Sequence, residues 1–174
     1  MTVPGTFDTS ARELIHAGLQ NLDAARSLFR QLSASGFDAA RCGLLLDALQ
    51  HVCDPDVALR NLVDIINAQV SQGRALDDIM PDDTAFRQLV AVLGVSDAMG
   101  KLMRFRPDLV QAAATDHCNS HLYNHDQRRA HVLESVGADP NDRMSPTATM
   151  DLADAATALR RTYRNQLAAI IAQD

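Results

Sequence analysis

Apolar residues recur along this chain at intervals of three and four positions, which is the period of an α-helix. The first such segment begins at Ser10, which can form an S-x-x-E capping box with Glu13. Gly36 can take the positive φ that is common just after a helix, so we expect one helix from Ser10 to Gly36. Its apolar positions are Leu14, Leu19, Leu22, Leu28, Phe29 and Leu32.

Aspartates mark the starts of the next two helices. Asp38 can cap a helix with a leucine-rich face, and Asp54 precedes a helix that has Pro55 at its first position and ends at Gly73. A proline is well placed there, because the first N–H groups of a helix have no partner within it. The apolar positions are Leu44, Leu45, Leu46 and Leu49 in one helix and Val57, Ala58, Leu62, Ile65 and Ile66 in the other.

Shorter helices are predicted in the middle of the chain. Asp82 and Asp83 precede an apolar stripe that stops at Gly94, and Ser96 can cap a helix over residues 98–105, before Pro107. The stripe consists of Phe86, Leu89, Val90 and Leu93.

The pattern weakens after Pro107. Residues 109–114 predict one or two further helical turns, residues 115–126 a loop or weak helix, and residues 127–136 a helix that ends at Gly137. Residues 139–145, rich in Asp, Asn and Pro, are the clearest linker.

A long final helix is predicted to begin at Ser145 and Pro146 and to run to Asp174. No Gly, Pro or polar stop signal closes its apolar side, so we expect the chain to be cut from a longer protein. That side consists of Leu152, Ala156, Leu159, Tyr163, Leu167, Ile170 and Ile171.

These elements predict an all-α fold, a multi-helix bundle of about seven or eight helices with a long C-terminal helix. Residues 1–9 are expected to be a flexible N-terminus, and residues 10–174 a helical region. The composition supports this class, because aromatic residues make up only 4% of the chain and a β-sandwich would need more of them. No apolar run approaches the ~20 residues that a membrane-spanning helix needs.

Charge and cysteine content narrow the function and the compartment. The net charge of −6 argues against nucleic acid as a partner. Cys42, Cys53 and Cys118 show no C-x-x-C spacing, which is typical of reduced thiols in a cytoplasmic protein.

A row of histidines is the first candidate for chemistry. On a helix, His117, His121 and His125 would lie four residues apart and could hold zinc with a fourth ligand. The intervening Asn119, Ser120 and Asn124 disfavour that helix, so we interpret these histidines as solvated loop residues.

Two other segments imitate phosphate or metal sites. Residues 94–101 resemble a phosphate loop, but five residues separate the glycines and Leu102 follows the lysine. Asp54 and Asp56 form a D-x-D pair at a helix start, where carboxylates favour the helix dipole. We therefore predict no catalytic, cofactor-binding or metal-binding residue in this chain.

Arg160, Arg161 and Arg164 cluster on the final helix. Arginines four residues apart could clamp a phosphate or the carboxylates of a partner, and the alternative is a solvated helix face. We take these three residues as the candidate partner contact.

Four segments resemble one known family. They are DPDVALRNL at residues 54–62, LGVSDAMG followed by Arg104 and Arg106-Pro107 at residues 93–107, VGADP at residues 136–140, and LRRTYRNQL at residues 159–167. In this order they resemble the N-terminal region of the bifunctional glutamine synthetase adenylyltransferase and adenylyl-removing enzymes, in their actinobacterial form. The resemblance runs from about Leu19 to Asp174.

The resemblance implies a large cytoplasmic enzyme with two nucleotidyltransferase halves, which use ATP and Mg²⁺. One half attaches AMP to a tyrosine of glutamine synthetase and the N-terminal half removes it by phosphorolysis, under the control of a PII-type signalling protein. In the family the Gly-Ser loop and its D-x-D metal ligands follow the arginine-bearing helix, so this chain would end before the first nucleotidyltransferase domain and carry no catalytic residue. The alternative is a free-standing helical protein-interaction module without enzymatic activity.

Overall fold

The fold is all-α, as predicted. A computed structural model describes residues 9–114 and 124–171, and these residues form ten α-helices and no strand. The helices are α1 (Ala11–His16), α2 (Leu22–Ala34), α3 (Ala39–Leu49), α4 (Pro55–Ser71), α5 (Leu76–Ile79), α6 (Asp83–Val95), α7 (Asp97–Met103), α8 (Pro107–Ala114), α9 (His125–Ser135) and α10 (Leu152–Ile171). Apart from Thr9, the residues expected to form a flexible N-terminus lie outside the described part.

Local capping signals place most helix starts correctly. The Ser10 side chain accepts a hydrogen bond from the Glu13 N–H, and the Glu13 carboxylate accepts one from the Ser10 N–H, which confirms the capping box. Asp38 and Asp54 cap α3 and α4 in the predicted way. Each cap satisfies an N–H that the helix itself leaves unpaired.

The prediction of a single helix from Ser10 to Gly36 is wrong. The chain turns at Gly18, whose φ of +82° is incompatible with a right-handed helix, and α2 starts anew with Asn21 as its cap. Leu14 and Leu19 nevertheless both reach the core, because the turn between α1 and α2 redirects the chain toward it.

Gly94 does not stop α6, which continues to Val95. A Cβ at Gly94 would lie 2.7 Å from the Val52 Cβ, so glycine here allows α6 to approach the segment between α3 and α4. The next helix, α7, begins at Asp97, directly after its cap Ser96. The four-residue helix α5 was not predicted.

The final helix begins at Leu152, not at Ser145 and Pro146. The Asp151 carboxylate accepts hydrogen bonds from the Ala153 and Asp154 N–H groups, both at 2.9 Å, and so caps the helix at this point. Residues 146–151 have no helical structure.

The predicted apolar side of α10 faces largely away from the protein. Leu152 is 88% exposed and Tyr163 64% exposed, whereas Ala155 and Thr162 are buried. Among the predicted positions, Leu167 packs partly against the core. The side chains of Ile170 and Ile171 lie outside the described part of the chain.

Burial is concentrated in α1–α8. The main core surrounds α4, which packs against α2, α6 and α7, and it includes Leu59, Leu62, Ile65, Leu89 and Leu93, all fully buried. The helix α10 lies between α8 and α9. No described helix is long and apolar enough to cross a membrane.

Candidate functional site

A cleft between α8 and α10 gathers the arginines singled out in the sequence. Six residues line it: Arg106, Asp108, Thr157, Arg160, Arg161 and Arg164. We call it the arginine cleft, and its volume is about 440 Å³. It exists because α8 and α10 pack side by side, which brings the start of α8 next to the middle of α10.

A two-pronged ion pair forms the α8 wall of the arginine cleft. The Arg106 Nε donates to the Asp108 Oδ1 at 2.9 Å, and its Nη2 donates to the Oδ2 at 2.6 Å. These hydrogen bonds from Arg106, with a smaller contribution from the nearby charge of Arg161, lower the pKa of Asp108. The pair therefore stays charged at neutral pH and holds the Arg106 guanidinium in one orientation.

The α10 wall carries unneutralised positive charge. Within the described residues, Arg160, Arg161 and Arg164 form no ion pair with any carboxylate. Five arginines elsewhere in the described chain are paired with aspartates: Arg26 with Asp23, Arg41 with Asp77, Arg60 with Asp97, Arg87 with Asp47 and Arg104 with Asp64. Four guanidinium groups and one carboxylate give the arginine cleft a net charge of +3, in a chain of net charge −6.

The structure thus unites the three predicted arginines and adds Arg106, Asp108 and Thr157. The Thr157 hydroxyl donates to the Ala153 carbonyl at 2.9 Å, so its proton is already used within α10. Sequence reasoning missed Arg106 and Asp108, because they lie some fifty positions before the α10 arginines and only packing brings them together.

The histidine row falls only in part within the described residues. His117, His121 and Cys118 lie outside the described residues. His125 is exposed at the start of α9, with its Nδ1 3.8 Å from the Asp126 Oδ1. In residues 9–114 and 124–171, no group of three or more His, Cys, Asp or Glu side chains could hold a metal ion.

The segment that imitates a phosphate loop serves helix packing instead. Ser96 caps α7 by accepting from the Met99 N–H at 3.2 Å, and Lys101 forms an ion pair with Asp97 at 2.7 Å. A Cβ at Gly100 would lie 2.5 Å from the Asn61 side chain, so this glycine permits close packing of α7 on α4. Ser96 thus caps α7 as expected, whereas Gly94 lies within α6.

The D-x-D pair is likewise used by the backbone. Asp54 caps α4, and the Asp56 carboxylate accepts from the Gln20 and Asn21 N–H groups at 2.9 and 3.3 Å. These contacts join the turn before α2 to the start of α4. Both carboxylates therefore accept hydrogen bonds from backbone N–H groups at helix starts.

The described cysteines are free thiols in different environments. Cys42 is buried, and burial together with the nearby Asp38 charge raises the pKa of its thiol to about 11. Cys53 is exposed. The buried thiol is therefore protonated at neutral pH and acts as a small apolar side chain.

A second, wider cleft of about 730 Å³ lies between α9 and the linker. One of its lining residues is Arg129, whose guanidinium donates to the Pro140 and Asp142 carbonyls at 2.9 and 2.8 Å. N–H groups of Ser145 and Met144 donate to the Asp142 carboxylate and lower its pKa. These bonds order the linker, and the cleft is lined by two acidic side chains, Asp126 and Glu134, and two basic ones, Arg129 and Arg143.

Comparison with known proteins identifies relatives that share one description. A Bifidobacterium longum (strain DJO10A) protein is 62% identical over 168 residues, which cover 97% of this chain. A protein of Bifidobacterium longum subsp. infantis is 60% identical over 168 residues, also 97% of this chain. A Corynebacterium efficiens protein is 34% identical over 162 residues, covering 75% of this chain. Each is described as a bifunctional glutamine synthetase adenylyltransferase/adenylyl-removing enzyme.

This chain belongs to this enzyme family and corresponds to one part of its members. The family resemblance found in the sequence is thereby confirmed. The chain spans only 16% of the length of the two Bifidobacterium relatives and 15% of the Corynebacterium one. No family model matches the chain, and no solved structure matches it.

The segments that resemble the adenylyltransferase family lie mainly at helix boundaries. DPDVALRNL starts α4 with its Asp54 cap, and VGADP follows α9, where Gly137 takes a φ of +73° and Val136 and Ala138 are buried. LRRTYRNQL lies on α10 and supplies the arginines of the cleft.

Proposed function

We propose that this chain is the non-catalytic, helical N-terminal portion of an enzyme that adenylylates and deadenylylates glutamine synthetase. The observation that carries this proposal is the match to the adenylyltransferase relatives. It covers nearly the whole of this chain but only a small share of the length of each relative. It is supported by the acidic pair and the glycine segment, each of which is used to build helix ends.

For the whole protein we propose the partners and cofactors that the family resemblance implies. Glutamine synthetase is the substrate, a PII-type protein regulates the enzyme, and ATP and Mg²⁺ serve nucleotidyltransferase domains outside this chain. We place the protein in the cytoplasm, where these substrates occur. Neither a membrane nor a nucleic acid is needed as a partner.

We further propose that the open side of α10 packs against the rest of the polypeptide. Leu152, Leu159 and Tyr163 lie on this side, and Met150 just before it is also exposed. Burying one such side chain contributes about 1.5–3 kcal/mol, so a helix that leaves several exposed gains by being covered. The relatives are several times longer than this chain and could supply that cover within one polypeptide.

An activity assay tests the non-catalytic role. Purified residues 1–174 should neither attach AMP from labelled ATP to glutamine synthetase nor release AMP from the modified protein. Turnover above a blank from a mock purification would contradict the proposal. The full-length enzyme, assayed in parallel, is the positive control.

A binding assay tests the covered side of α10. Residues 1–174 should co-elute with the remainder of the polypeptide, and the double change Leu159→Ser and Tyr163→Ser should abolish co-elution. Ile15→Ser is the matched control, because Ile15 is 62% exposed on α1, away from α10. If the chain never associates with the remainder, the alternative of a free-standing interaction module gains support.

A further inference from the structure

The arginine cleft brings four arginines together around a single carboxylate, that of Asp108, which is already paired with Arg106. Five arginines of the α1–α8 region outside the cleft pair with aspartates, whereas the α10 arginines of the cleft form no ion pair among the described residues. Concentrating a charge of +3 in one concave site is electrostatically unfavourable unless an anion enters it.

The two walls of the arginine cleft offer donors in complementary ways. Arg106 is held by Asp108, so its guanidinium is oriented before any ligand arrives. Arg160 and Arg164 lie one helical turn apart on α10 and can both turn toward the same point. A ligand between the walls would meet fixed donors on one side and adaptable donors on the other.

Size and charge favour a phosphate-bearing small molecule over a protein segment. A volume of about 440 Å³ falls within the ~300–1,000 Å³ typical of small-molecule sites. Guanidinium groups match phosphate oxygens two at a time. An acidic peptide would instead spread its carboxylates along an extended surface, which a cleft of this size does not offer.

We propose that the arginine cleft binds a phosphate-bearing small molecule through Arg106, Arg160, Arg161 and Arg164. This site goes beyond the proposed function. It does not depend on that function, because all the residues that line the cleft belong to this chain. The phosphate could come from an inorganic polyphosphate or from a nucleotide, and the two sources share this chemistry.

Titration calorimetry of the purified chain with pyrophosphate, at constant ionic strength, tests the proposal. We expect saturable binding that the double change Arg160→Gln and Arg164→Gln weakens at least about tenfold, since each charge-assisted contact is worth about a factor of ten. The matched control is Arg12→Gln with Arg30→Gln, which removes the same charge from exposed positions on α1 and α2 and should leave the affinity unchanged.

A second variant separates geometry from charge and guards against misfolding. Arg160→Lys with Arg164→Lys keeps the charge but not the planar fork, so it should bind pyrophosphate several-fold more weakly while melting at the temperature of the unchanged chain.

Titration with a nucleoside diphosphate distinguishes the sources: tighter binding than pyrophosphate identifies a nucleotide, and equal binding a phosphate chain. The proposal is overturned if no saturable binding occurs, if the control loses as much affinity as the glutamine variant, or if only a glutamate-rich peptide binds.

Discussion

The α1–α8 region and the α9–α10 region of this protein are built in different ways. The first has a continuous core around α4, with many fully buried leucines, isoleucines and valines. The second has a small cluster of Val136, Ala138 and Ala155, and no residue of α9 is buried. Burial of apolar area is the main source of folding free energy. The α1–α8 region therefore gains more stability from burial than the α9–α10 region.

Polar contacts show the same contrast. In α1–α8, aspartates cap helices or pair with arginines of other helices, as Asp97 does with Arg60 at 3.0 Å. In the second region, Arg129 is used to hold the linker, and the arginines of α10 remain without carboxylate partners among the described residues. The first region therefore makes many of its polar contacts within itself, whereas α10 of the second presents an apolar side and contributes arginines to a charged cleft.

The largest expected effect comes from comparing one leucine in each region. Leu62→Ala removes a fully buried side chain in α4 and should lower the free energy of unfolding by about 2–5 kcal/mol. Leu133→Ala removes a partly buried side chain beside the small cluster and should cost roughly 1 kcal/mol. Denaturant unfolding of both variants measures the difference, and equal costs would show that the second region has a core of similar quality.

An intermediate effect is expected where the regions meet electrostatically. Asp108 on α8 is paired with Arg106 and lies near Arg161 of α10, and its pKa is lowered in the folded state. A lowered folded-state pKa stabilises the protein above the unfolded value, and this contribution is lost as the pH falls through the folded value.

Asp108→Asn should therefore show a smaller fall in melting temperature than the unchanged chain when the pH drops below about 4. The difference in the free energy of unfolding should be less than about 1 kcal/mol, because the ion pair is partly exposed. Melting curves between pH 7 and pH 2.5 provide the measurement. Asp83→Asn, an exposed change at the start of α6, is the control. An unchanged acid profile in Asp108→Asn would mean that the ion pair does not contribute to stability.

The smallest effect is expected on the open side of α10. Leu152 is 88% exposed, so Leu152→Ser should change the free energy of unfolding of this chain by less than about 0.5 kcal/mol. A loss of several kcal/mol in a monomeric sample would show that this side already belongs to an internal core, and the contrast between the two regions would then disappear.

Helix starts were predictable because their signals are local. The capping residues Ser10, Asp38, Asp54 and Ser96 each accept a hydrogen bond from an N–H three positions further on, so a short window of sequence contains the whole interaction. Glycines were less reliable guides. Gly18 breaks the first predicted helix, yet Gly94 lies within α6, because close packing against Val52 outweighs the cost of about 1 kcal/mol for glycine in a helix.

The sequence by itself determined the all-α class, most of the helix starts and the enzyme family, because helical periodicity, caps and matched segments are properties of neighbouring residues. Only the tertiary structure decided which side of α10 is buried and that Arg106 faces Arg160 and Arg164. A hydrophobic stripe records which side of a helix is apolar, but the neighbours available to cover it depend on the whole chain. The small residues Ala155 and Ala158 let α10 pack closely on the second cluster, so Leu152 and Tyr163 remain outside.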